Sequence, residues 1–117
     1  MVYSIPALRR LLKMDRKVSE LLNDQINKEF YSAYLYLDIA NFYSDKGLDG
    51  FANWYEIQAR EEQDHAMLIY QYLHNNNQKV TLEAIAKPDK AFSTLMDPLQ
   101  VAYEHEQYVT ALINTIY

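Results

Sequence analysis

The chain contains no cysteine, only 2 glycines and 3 prolines, and fewer basic than acidic side chains, 11 against 16. Without cysteine there is no disulfide framework, no thiolate zinc finger and no iron–sulfur cluster. So few glycines and prolines disfavour a strand-and-turn architecture and leave long helices as the economical solution. The formal net charge of −5 argues against a nucleic-acid binder, whose electrostatic footprint is basic, and suits a surface that attracts cations. No apolar run approaches the ~20 residues that a membrane-spanning helix requires.

What the sequence does hold is enough for one small domain with a real core: 117 residues, half of them hydrophobic. Its 11 tyrosines supply amphipathic wall residues, with redox chemistry as a secondary use. Residues 1–13 stand apart. Val2, Ile5, Leu8, Leu11 and Leu12 alternate with Arg9, Arg10 and Lys13, which describes a short basic amphipathic segment. A secretory signal places its charge before the apolar stretch, the reverse of this order. An extension or arm ahead of a start at Met14 is the reading adopted, with a membrane-surface anchor as the alternative. The domain is then expected over residues 14–117.

Three helices are expected. The first runs from about Asp15, a candidate N-cap, to Tyr43, and stops in Ser44-Asp45-Lys46-Gly47. The second runs from Asp49 or Gly50 to Asn75, where consecutive asparagines make a C-terminal stop. The short link makes these two antiparallel neighbours. From Gln78 to Thr94 no helical period survives. About 16 extended residues reach roughly 50 Å, more than the roughly 38 Å of a 25-residue helix. This connection can therefore travel the whole bundle, so that the third helix lies parallel to the second. Asp97-Pro98-Leu99-Gln100 is a start signal with Asp as N-cap, and Ser93 or Thr94 is an earlier alternative. The third helix continues to Tyr117. The expected fold class is all-α, with a fourth helix needed to close the core and missing from this chain.

Acidic residues interrupt the apolar rows of all three helices. The rows are Leu22, Ile26, Glu29, Ala33, Tyr36, Ala40; then Phe51, Tyr55, Gln58, Glu62, His65, Ile69, Tyr72; then Leu99, Ala102, Glu106, Val109, Ile113, Ile116. Steps of three and four keep each row on one helix face. An ionised carboxylate in an apolar interior is too costly without a proton, a partner or a metal. Taken singly, His65 reads as an ordinary surface or satisfied core residue, Glu62 as a solvated helix glutamate, and Glu106 as a partner for a nearby Lys or His. Tyr36 alone is as readily core as redox-active. Together, three inward carboxylates and an imidazole read as oxygen and nitrogen ligands for iron, manganese or zinc. His74 and His105 fall off these rows and read as surface residues; Trp54 reads as packing.

Three segments resemble the helix motifs of non-haem bacterial ferritins: Asn27-Lys28-Glu29-Phe30-Tyr31-Ser32-Ala33-Tyr34-Leu35-Tyr36, Ala59-Arg60-Glu61-Glu62-Gln63-Asp64-His65, and Tyr103-Glu104-His105-Glu106-Gln107. Their order and spacing suit that family, and the resemblance covers Met14 to Tyr117. It implies a ferritin-like four-helix bundle with a long crossover between the second and third helices. It also implies an iron-storage ferroxidase, an iron(II):oxygen oxidoreductase that uses a di-iron centre and dioxygen and needs no haem. Glu29 and His65 would hold the first iron, Glu62 would bridge, and Glu106 would hold the second. Tyr36 would stand beside the centre and Glu61 would belong to a third iron site. The remaining ligands of the family lie on its fourth helix, so activity is expected to be impaired here. Family members form a 24-subunit cytoplasmic cage; this shorter chain is expected to self-associate through its open groove, as a dimer or otherwise. No nucleic acid or membrane partner is expected. Two alternatives stay open: a bacterioferritin, against which Gln63 stands where the haem-ligating Met would be, and a non-catalytic helical interaction module. Rubrerythrin-like peroxidases often add a cysteine-ligated iron domain that this chain cannot build.

Overall fold

The computed structural model describes residues 16–116. The segment 1–13, the candidate cap Asp15 and the terminal Tyr117 lie outside the described residues. Three helices follow in order: α1 (Arg16–Asp45), α2 (Asp49–Asn75) and α3 (Asp97–Ile116). No strand occurs among the described residues. The rod-like body measures 47 × 22 × 22 Å, so the helices run along one axis.

Both long helices end in the same device. After α1, the Leu48 N–H donates to Tyr43 O at 2.9 Å and the Gly47 N–H to Ser44 O at 3.0 Å. After α2, Gln78 N–H donates to Leu73 O at 2.9 Å and Asn77 N–H to His74 O at 3.1 Å. These paired bonds reverse the chain through a left-handed residue, Gly47 with φ 73° and Asn77 with φ 57°. A Cβ at Gly47 would touch nothing within 4 Å. The whole cost of a side chain there is the backbone conformation. Gly47→Ala is therefore expected to lower the unfolding free energy by about 1 kcal/mol, read from a urea midpoint.

α1 and α2 pack along their length as antiparallel neighbours, as their short link requires. On α2 the buried row is Ala52, Tyr55, Ala59, Glu62, Ala66, Ile69 and Leu73. This differs from the row expected from sequence, since Phe51 is 47% exposed and Gln58 and Tyr72 are half-buried. The reason is size. Alanines at 52, 59 and 66 let α1 approach closely, and the seam centres on them while the bulkier neighbours flank it.

The crossover travels along α1 from its N-terminal to its C-terminal end. The amide of Asn23 brackets Thr81, accepting from its N–H at 2.8 Å and donating to its carbonyl at 3.1 Å. Asn27, one turn on, donates to Glu83 O at 3.3 Å and Ala84 O at 3.0 Å. Phe92 meets Phe42 edge-on at 5.4 Å, and the Tyr43 hydroxyl donates to Leu95 O at 2.6 Å. α3 therefore starts at the end where α2 starts, and the two run parallel. Its cap is the earlier alternative, Thr94. The Asp97 carboxylate reaches back to accept from Ser93 N–H at 2.8 Å and Thr94 N–H at 2.9 Å, and Asp97 N–H donates to Thr94 Oγ1 at 3.3 Å. This is a reciprocal capping box in which Asp97 is the returning acid rather than the N-cap.

The core falls into two apolar clusters. One gathers Leu35, Tyr36, Ile39, Ala40, Tyr43, Ala52, Tyr55, Ala59 and Ala102. The other gathers Leu22, Ile26, Ala66, Ile69 and Leu73. Between them, along both α1 and α2, lies a polar layer.

Candidate metal centre

That layer contains Glu29 on α1 and Glu62 on α2, both with no solvent exposure, and His65 one turn beyond Glu62. Ligand atoms from these three side chains all lie within 4.8 Å of one another. His65 Nδ1 is 3.6 Å from Glu29 Oε2 and 3.7 Å from Glu62 Oε2, distances too long for strong hydrogen bonds. Neither oxygen of Glu62 accepts a hydrogen bond. A wholly buried carboxylate in that condition is costly, and a cation at the meeting point of the three groups would remove the cost. The donor set, two carboxylates and an imidazole without thiolate, suits a first-row divalent ion such as iron, manganese or zinc.

The electrostatics carry the same signature. Burial pushes the Glu62 carboxyl up to about 7; the nearby Glu29 charge adds to the rise and His65 opposes it. The Glu29 and Glu62 carboxylates raise His65 to about 9 against the opposing effect of its own burial. Two carboxylates thus share one imidazolium, and the metal-free centre retains protons that a cation would displace.

Glu106 is half-buried on α3 and accepts a hydrogen bond from the Tyr36 phenol. It borders the cluster and is not within it. Burial, and then the Glu106 carboxylate, hold Tyr36 well above the ordinary phenol range. The Glu62 charge adds to that rise. Glu61 is exposed, and the structure does not bring it to the centre.

Three neighbours escaped the sequence reading. Gln25, buried one turn before Glu29, donates its amide to Glu29 Oε1 at 2.8 Å. The signal for it was the i, i+4 spacing from a buried acid. Ser32 is fully buried, and its hydroxyl donates to Lys28 O at 2.9 Å. His105 was expected at the surface. It is instead half-buried, with Nε2 at 2.6 Å from Ser32 Oγ, because α1 covers the side of α3 next to Glu106. His74 is exposed, as expected.

An all-helical body with a buried Glu/Glu/His cluster between two apolar layers could hold a metal ion, and the ferritin-like di-iron proteins are helical bundles that build their sites from the same side-chain types. The family model for the ferritin-like domain matches residues 19–117, and the chain belongs to that family. It is 39% identical over 103 residues to a bacterial non-haem ferritin of Campylobacter jejuni, covering 88% of this chain and 62% of the relative. To the bacterial non-haem ferritin of Staphylococcus saprophyticus it is 35% identical over 97 residues, covering 83% and 58%. Among solved structures, an open-pore ferritin from the archaeon Archaeoglobus fulgidus superposes with a TM-score of 0.84 at 38% identity, covering 89% of this chain and 64% of that one. The chain thus spans about three fifths of the length of these relatives. It contributes three helices to a fold that in ferritins has four. No described helix is long and apolar enough to cross a membrane.

Proposed function

We propose that these residues form the iron-oxidising portion of an iron-storage ferritin. The observation that carries this reading is the buried Glu29–Glu62–His65 cluster, whose Glu62 carboxylate has no hydrogen-bond donor. In this reading ferrous iron is the substrate. Glu29 and His65 would hold the first ion, Glu62 would be shared with a second, and Glu106 would hold that second ion. Each ferrous ion gives up one electron, and dioxygen takes the pair. The ferric product passes to mineral inside the cage that complete family members build, proposed here as 24 subunits of a cytoplasmic protein. Glu61, exposed on the neighbouring face of α2, is proposed as a ligand of a nearby third iron site rather than of the centre. The ligands that a fourth helix would supply to the second ion are not among the described residues.

Aerobic addition of ferrous iron, followed by absorbance of the ferric product, tests the reading. Glu62→Ala is expected to abolish the rapid phase, and Glu61→Ala to leave it. Equal rates in the parent and Glu62→Ala would refute the assignment.

A further inference from the structure

α3 is positioned over the buried cluster by α1. Among the described residues no Cα of α3 comes within 8 Å of one in α2, whereas α1 does meet α3. Side-chain bonds that cross from α1 to α3 beside the centre include two that bear on Glu106. One is the Tyr36 phenol on Glu106 Oε1. The other joins Ser32 and His105 at 2.6 Å.

Ser32 Oγ also lies 2.9 Å from Lys28 O, and with its single hydrogen directed there the Nε2–H tautomer of His105 donates to Ser32 Oγ. The imidazole is enclosed by tyrosine rings, Tyr31 and Tyr36 at 5.9 Å and Tyr108 at 6.3 Å between centroids. An apolar side chain would fill that space as well. What the imidazole adds is a directed bond to a fixed point on α1, on a hydroxyl already satisfied by its own helix. Residues 105 and 106 are separated by about 100° around the helix axis, so anchoring one sets the azimuth of the other.

We propose that Ser32 and His105 are positioning residues for the second metal ion: their bond fixes the roll of α3, so the Glu106 carboxylate faces Glu62. This rests on the reading of Glu106 as a metal ligand given above. Outer partners that orient ligands in this way typically change metal affinity by about 10–100-fold when removed.

Cobalt(II), which needs no oxygen chemistry, is the probe. It is titrated into the metal-free chain and followed by calorimetry and visible absorption. The parent is expected to take one ion at Glu29, Glu62 and His65 and a second that Glu106→Ala removes. Ser32→Ala and His105→Leu are expected to leave the first ion unchanged and to weaken the second about 10–100-fold. His105→Gln, whose amide still donates to Ser32, is expected to recover most of that loss. The intact first ion reports a folded bundle in every variant. Wild-type affinity for the second ion in Ser32→Ala and His105→Leu would overturn the positioning role while leaving Glu106 as a ligand. Equal weakening of both ions would also overturn it, as general loosening. If Glu106→Ala keeps both ions, the assignment of Glu106 itself fails, and this proposal with it.

Discussion

In the metal-free chain at pH 8, Glu62→Gln is expected to raise the unfolding free energy by about 1–2 kcal/mol, while abolishing stabilisation by added divalent metal. The argument begins with the charge count at the centre. Two fully buried carboxylates face one imidazole. Glu29 has the Gln25 amide at 2.8 Å, but neither oxygen of Glu62 accepts a hydrogen bond. With its carboxyl near 7, Glu62 is mostly ionised at pH 8 and repels Glu29. Glutamine keeps the shape, removes that charge and leaves Glu29 paired with His65. Urea unfolding with chelator, and again with metal, measures both halves of the effect. A Glu62→Gln chain less stable than its parent under chelator would show that the carboxylate is structural and not held in wait for a cation.

The second large effect concerns pH. Both shifted groups at the centre have folded-state values above their unfolded ones, Glu62 at about 7 instead of 4.5 and His65 at about 9 instead of 6.5. Folding therefore takes up protons in these windows, and stability falls wherever the folded state binds more of them. The Glu62 contribution is complete below 4.5 and lost through 7; that of His65 is complete below 6.5 and lost through 9. The metal-free chain should decline in stability continuously from about pH 5 to about pH 9. At the acid end the sign reverses for Asp97, whose carboxyl is lowered by the Ser93 and Thr94 amides and whose contribution disappears on protonation. Added metal displaces the protons. At one hundred times its dissociation constant it should contribute about 2.7 kcal/mol, and a fixed metal concentration should contribute more at pH 8 than at pH 5.5, where protons compete for the ligands. Thermal midpoints across pH, with chelator and with zinc or cobalt, decide the matter. A flat metal-free profile between pH 5 and 9 would mean that the centre is hydrated and its groups titrate normally.

Much of this was legible in the residues. The order of the three helices, their ends to within two residues, and the reach of the 78–94 connection follow from period, turn residues and chain length. Glu29, Glu62 and His65 were legible because a carboxylate on an apolar row is costly unless a proton, a partner or a metal meets it. What remained hidden depends on which neighbour covers which side. The exposure of His105 could not be read from α3 alone, since its burial comes from α1. The α2 row drifted because a pattern of apolar letters weighs Phe51 above Ala52, whereas close approach of two helices favours the smaller side chain. The Thr94–Asp97 box was ambiguous because an acid beside a proline serves equally as a cap or as the residue that returns to one. Gln25 and Ser32, polar and buried, are visible only once the partner groups are in place.

The division of the apolar interior has a mechanical consequence. Two separate oily blocks joined by an acidic layer make a rod that is firm at each end and weaker at its waist, where two carboxylates share one imidazole. A cation held there would work as a clasp, drawing the first two helices together at the level between the blocks. Binding and tightening would then be a single event, and the metal-free chain the softer form.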